Sequence, residues 1–236
     1  MFFKIITYKI IFKFLMINLE IFNALFIFSN ILGYFPLIIN ILRKNKNKSS
    51  KGISMYLYFI ALASLYEMFF SYYLKINVEI WFKVYSLLEF ILILQIFKSQ
   101  KNGPNKFVYI FFTFLYFSIL TYVTLLIPEK HFLFHDALLN FVTFLFIISF
   151  SFVWFKNYIK SNESLLFLNI PFFYFLSGLM IYYSGIIFLS IFSLAIINSE
   201  MSINEFWITN IIFLIIHRII LIFMALKNNS YITNIS

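Results

Sequence analysis

Apolar residues fall along this chain in seven long runs, each broken from the next by a short polar connector. The runs cover Leu19–Leu42, Ile53–Leu74, Val78–Phe97, Phe107–Ile127, Phe134–Phe155, Leu165–Ile196 and Glu205–Leu226. A bilayer core needs about 20 apolar helical residues to cross it. The pattern therefore predicts an all-α, polytopic membrane protein, a bundle of seven transmembrane helices. The connectors carry the residues that end helices: Asn45 to Ser50, Asn102-Gly103-Pro104, Pro128, and Asn198 to Asn204. The sixth run is the longest. Pro171, tolerated in a first helical turn, predicts a late start for its helix.

Basic residues set the orientation. The odd connectors and the tail hold Arg43, Lys44, Lys46, Lys48, Lys51, Lys98, Lys101, Lys106, Lys156, Lys160 and Lys227, against Lys75, Lys83 and Lys130 in the even ones. Lys and Arg accumulate in cytoplasmic loops. The N-terminus is thus expected outside and the C-terminus in the cytoplasm, within the cytoplasmic membrane. Residues 1–16 carry Lys4, Lys9 and Lys13 on the outer side of that scheme. Two readings accommodate them: a basic amphipathic segment lying on the membrane surface, or a translation start at Met16. A cleaved signal peptide is not expected, because no small-residue cleavage site follows. Residues 17–228 form the seven-helix domain, and 229–236 a short cytoplasmic tail.

Composition agrees with the pattern. The chain is 63% hydrophobic and 11% charged, against about 25% charged in soluble domains. So few polar side chains cannot cover a water-facing surface. The net charge of +9 resides in the connectors, where it sets topology and makes no nucleic-acid face. Cysteine is absent, which excludes disulfides and thiolate chemistry. The 36 Phe carry no functional meaning by themselves, since a low-GC genome favours them.

Ionisable groups at bilayer depth are costly and point to function. Glu67 lies just past the middle of the second run and Glu89 near the middle of the third. His217 and Arg218 adjoin near the middle of the seventh. At 1.5 Å per residue these four fall close to one level. Arg218 is expected to pair with Glu89 or Glu67, since a guanidinium can hold two carboxylates at once. Such a cluster serves either as a structural clamp or as a site for a ligand, proton or signal. Asn210 shares the His217 face, and Tyr182, Tyr183, Ser184, Asn140 and Thr143 are further polar residues at depth. Ser177-Gly178 and Ser184-Gly185 suit close helix packing. His131, His135 and Asp136 have a metal-compatible spacing, but two His beside one Asp usually arise by accident. No nucleophile motif, phosphate-binding glycine loop or metal triad accompanies these residues, so no enzyme activity and no cofactor are expected.

Three segments resemble an uncharacterised family of small seven-helix membrane proteins common in Bacteroidetes. Ile80-Trp81-Phe82-Lys83-Val84-Tyr85-Ser86-Leu87-Leu88-Glu89-Phe90 is similar to its third helix, Asn-x-Tyr-x-Leu-x-Glu-Phe. Ile181-Tyr182-Tyr183-Ser184-Gly185 resembles its sixth, Leu-x-Tyr-Phe-Ser-Gly, and Phe206-Trp207-Ile208 leads similarly into its seventh. Glu67 matches an acidic position of its second helix, whereas His217-Arg218 stands where that family is Asn-rich. The likeness runs from Ile53 onward and implies no particular activity. Some members resemble membrane sensor regions that precede kinase domains.

A weaker resemblance is to PQ-loop and SWEET transporters. Gly33-Tyr34-Phe35-Pro36-Leu37 and Lys48-Ser49-Ser50-Lys51-Gly52-Ile53-Ser54 are similar to their signature. Leu37 replaces its Gln, the spacing is about three residues too long, and the fifth run has no second proline near Trp154. That fold consists of parallel three-helix repeats. With the second proline missing, the first three and last three helices are expected not to superpose as such repeats. The leading expectation is a sensor or signalling-accessory protein with lipid and a membrane or cytoplasmic signalling partner as its contacts. The alternative is a small-solute transporter.

Overall fold

Val, Ile and Phe are mediocre helix formers in water. In lipid, however, a spanning segment must satisfy every backbone N–H and C=O internally, and an α-helix does so within one segment. The computed structural model has this character throughout. It describes residues 2–43, 51–74, 79–100, 103–126, 132–160, 170–197 and 203–227, with side chains over 20–43, 51–70, 73–74, 81–100, 103–125, 135–160, 170–189 and 208–227. Among the described residues there are seven α-helices: α1 (Phe2–Leu42), α2 (Lys51–Tyr66), α3 (Glu79–Lys98), α4 (Lys106–Leu126), α5 (Phe132–Lys160), α6 (Pro171–Ile197) and α7 (Ile203–Leu226). α6 begins at Pro171, as expected of a proline in a first turn.

Three elements depart from the runs read in the sequence. α1 starts at Phe2, so the N-terminal segment lies in the same helix as the first run. α5 continues through Lys156 to Lys160, where a connector was expected. A helix end that reaches water keeps its hydrogen bonds whether or not its side chains are apolar, so hydropathy marks the buried length and not the helix end. α2 passes into a π-helical stretch, Glu67–Tyr73, that begins at the acidic residue. Six of the helices are long and apolar enough to cross a membrane: Glu20–Leu42, Lys51–Phe70, Lys106–Leu125, His135–Lys160, Pro171–Leu189 and Ile208–Leu226. α3 has 20 residues and carries Glu79, Lys83, Glu89 and Lys98.

Helix order follows from the pairs that pack. α1 lies against α2 and α7, α3 against α2 and α5, and α6 against α5 and α7. Six helices thus close a ring in the order α1, α2, α3, α5, α6, α7. α4 lies outside it, against α5 and, through the stacked Phe90–Tyr116 rings 4.0 Å apart, against α3. Neighbours in the ring are antiparallel except at two seams. At the first, Ser86 meets Asp136 and Phe97 stacks on Phe150, so α3 and α5 run parallel. At the second, Asn30 meets Arg218, and the Arg43 guanidinium donates to the Leu226 carbonyl at the far end. α1 and α7 are therefore parallel too, and Arg43 caps the last turn of α7, where a cation suits the helix dipole. The ring consists of two up-down-up units, α1–α3 and α5–α7, with α4 connecting them in sequence.

Two kinds of packing fill the interior. Towards the C-terminal ends of α3 and α5, Phe97, Phe146, Phe150, Trp154 and Phe172 interlock as aromatic pairs. Between α6 and α7 the contact depends on glycine. The ring of Phe213 lies where a Gly185 Cβ would be, 2.4 Å from its nearest atoms, and Gly178 faces His217 and Ile220 at 3.2 Å. The small pairs in α6 therefore serve close helix approach, as their spacing predicted. Gly185→Ala is expected to destabilise the protein by about 1–3 kcal/mol, the usual cost of overpacking. Combined with Phe213→Ala, it should cost less than the two single changes added together. Thermal unfolding of the four proteins in detergent measures the coupling, and strict additivity would contradict the contact.

Candidate functional site

The bundle centre is polar, and its side chains come from both units. Glu89 on α3 is 2% exposed. The Tyr56 hydroxyl of α2 donates to its Oε1 at 2.9 Å, and the Tyr183 hydroxyl of α6 donates to its Oε2 at 2.8 Å. The Tyr85 hydroxyl, one turn earlier on α3, also bonds to this carboxylate. Both are ordinary O–H···O hydrogen-bond distances. One carboxylate thereby ties three helices together.

One turn from Glu89 on the same face of α3, the Ser86 hydroxyl donates to Asp136 Oδ1 at 3.2 Å across the α3/α5 seam. Asn140, one turn further along α5, bonds the same carboxyl. Asp136 belongs to this polar line, and among the described residues no three potential metal ligands come together. His131, the third residue of that spacing, lies outside the described residues.

Arg218 makes the crossing at the other seam. Its Nη2 is 3.9 Å from Glu67 Oε2, an ion pair too long for a direct hydrogen bond, and its Nη1 donates to Asn30 Oδ1 at 3.4 Å. To reach Glu67 the guanidinium of α7 passes Gly33 of α1. A Cβ there would lie 3.4 Å from Arg218 Cζ and 2.1 Å from Ser64 Oγ. The glycine opens the passage. The π-helical stretch starts at Glu67 itself, which re-aims that side chain relative to a regular continuation of α2. Arg218 therefore holds Glu67 but not Glu89. Of the two partners expected for the guanidinium it takes Glu67, while tyrosine hydroxyls occupy both Glu89 oxygens.

His217 lies between the two groups. It is 1% exposed, stacks on Tyr182 with ring centroids 5.0 Å apart, and meets the Tyr56 ring edge-on at 6.3 Å. Among the described residues neither of its nitrogens has a hydrogen-bond partner. Tyr182 is within electrostatic range of Glu89, Asp136, Glu67 and Arg218, so the groups share one neighbourhood. Asn210, seven residues before His217 on α7, is about 10 Å away along the axis and stands apart from the imidazole.

Glu67, Glu89, Tyr182, His217 and Arg218 are thus brought together, while Asn210 lies about two helical turns before His217 on α7. Sequence reading missed Tyr56 and Asn30. A signal for Tyr56 existed, because it precedes Glu67 by eleven residues, three helical turns, and so shares its face. Asn30 had no such signal, since its role depends on α1 lying beside α7.

The fold and this centre define a multi-pass helical membrane protein with an internal polar site. No family model, no curated protein and no solved structure matches the chain.

Removing Arg218 leaves Glu67 without its cation in a site where the glutamate side chain is 21% exposed. Arg218→Met is expected to cost about 3 kcal/mol, the lower end for a broken buried pair. Arg218→Met with Glu67→Gln should recover most of that loss. Denaturant titration in mixed micelles checks this, and a double variant no more stable than the single one would contradict the pairing.

Proposed function

We propose that the protein is a seven-span protein of the cytoplasmic membrane, with its N-terminus outside and its C-terminus in the cytoplasm. In this reading it belongs to the sensor or signalling-accessory class and acts on a membrane or cytoplasmic signalling partner. A single observation carries it: the polar contacts Glu89–Tyr183, Ser86–Asp136, Arg218–Asn30 and Arg218–Glu67 all join one three-helix unit to the other. A clamp needed only to hold one helix pair has no reason to be distributed over both seams. Ionisable contacts placed between two bodies let a local change of charge alter how those bodies sit. The reading assigns no catalytic step.

Small-solute transport is the second reading, and the helix order favours it. Two parallel three-helix units with the fourth helix outside is the order that the PQ-loop and SWEET resemblance implies. The two readings differ in flux.

Two outcomes test these proposals. Reporter fusions after Lys101 and after Lys227 are expected to read cytoplasmic, and one after Lys130 external; an external C-terminus sinks the orientation. For the mechanism, the chain has no cysteine, so Leu42→Cys with Lys160→Cys places two spin labels on opposite units. In vesicles the label separation is expected to shift with pH, with no proton flux above that of protein-free vesicles. One unchanging separation returns the cluster to a structural clamp. Flux promotes transport.

A further inference from the structure

Among the described residues the centre holds three carboxylates, Glu67, Glu89 and Asp136, and one guanidinium, Arg218. The guanidinium is committed to Glu67 and Asn30. Glu89 therefore has only neutral hydroxyls on its oxygens, in a position 2% exposed. An isolated buried carboxylate is costly in an apolar medium, and in practice it is neutralised. Beside it stands a second group in the same condition, the fully buried His217 imidazole, whose nitrogens have no partner while its ring touches Tyr56 and Tyr182.

We infer that Glu89 is a proton-binding site and that its proton works a latch between the two three-helix units. The inference rests on the responsive-site reading above and names its stimulus. The groups around Glu89 come from every element near it: Tyr85 of its own helix, Tyr56 of α2, Tyr116 of α4, Asp136 of α5 and Tyr182 and Tyr183 of α6, with His217 of α7 packed on Tyr56 and Tyr182, and Arg218 of α7 and Glu67 of the π-helical stretch near Tyr182. Asp136 and Ser86 bond across one seam, and Glu89 lies one turn from Ser86 on the same helix, so oxygen-bearing side chains stand on that side of Glu89.

The chemistry is a simple addition. Water supplies one proton, one O–H bond forms on a Glu89 oxygen, and nothing is oxidised or reduced. The ionised carboxylate accepts from Tyr56 and from Tyr183 at once. After protonation one oxygen gains a donor and accepts more weakly, which favours the tyrosine on that oxygen turning from donor to acceptor. Its own O–H then needs another acceptor, and the His217 imidazole, whose nitrogens have no partner among the described residues, packs edge-on against the Tyr56 ring. Since Tyr56 sits on α2 and Tyr183 on α6, exchanging their roles changes the bond that crosses between the units.

Infrared difference spectra of the membrane-reconstituted protein, recorded between acid and alkaline buffer, test the site. A carboxyl band is expected in the wild type and is expected to vanish in Glu89→Gln, whose amide still accepts a tyrosine hydrogen bond. Tyr183→Phe keeps the carboxyl and removes the crossing bond. It should retain the band, yet lose the pH-dependent shift between labels at positions 42 and 160. A band that survives Glu89→Gln assigns the proton elsewhere and overturns the inference, while the wild-type label shift would leave the broader reading standing. A label shift that survives Tyr183→Phe overturns the latch. A wild-type band with no label shift also overturns the latch, and it brings down the responsive-site reading as well.

Discussion

Each oxygen of the Glu89 carboxylate is taken by a tyrosine hydroxyl from a different helix, at a depth where lipid offers no hydrogen bond. That constraint organises the rest of the centre. Water would solvate a carboxylate on any side, so its partners would matter little. Without water each acceptor site must be filled by a side chain in a fixed place. Tyr56, Tyr183 and Glu89 consequently fix the spacing of α2, α3 and α6, and the remaining polar groups arrange themselves around that tie.

The same reasoning explains why the arginine does not join the glutamate tie. Glu89 is satisfied by hydroxyls, so the one guanidinium at depth goes to Glu67 and Asn30 across the other seam. The passage depends on what is missing from α1: at Gly33 any side chain would meet Ser64 and crowd Arg218. Glycine there has a steric purpose, and so does Gly185 under the Phe213 ring. Near the C-terminal ends of α3 and α5 aromatic side chains fill most of the space, Phe97 stacked on Phe150 and Trp154 edge-on to Phe172.

Coupling between the units follows from where these contacts lie. Each unit lends its third helix to the other: α3 through Glu89 to Tyr183, and α7 through Arg218 to Glu67. A change in either ionisable group is therefore felt at a seam between bodies and not inside one of them. Where the described helices expose many large apolar side chains, this internal placement is where charge can do work without facing lipid.

The seven helices were legible in the sequence because hydropathy measures burial in lipid, and a bilayer fixes how long each buried run must be. The depth of Glu67, Glu89, His217 and Arg218 followed from counting along those runs, and Gly178 and Gly185 were readable as packing residues from their spacing. Partners were not readable. Whether Arg218 met Glu67 or Glu89 depended on which helices adjoin, and linear depth is the same for both. The ring order, with α4 left outside, put Tyr183 beside Glu89, Asp136 beside Ser86 and Asn30 beside Arg218. Each of these pairs spans dozens of residues or more in the chain, so no local propensity could announce it. The ends of α1 and α5 likewise escaped, because the lysines taken to mark a surface segment and a connector lie within helices that continue through them.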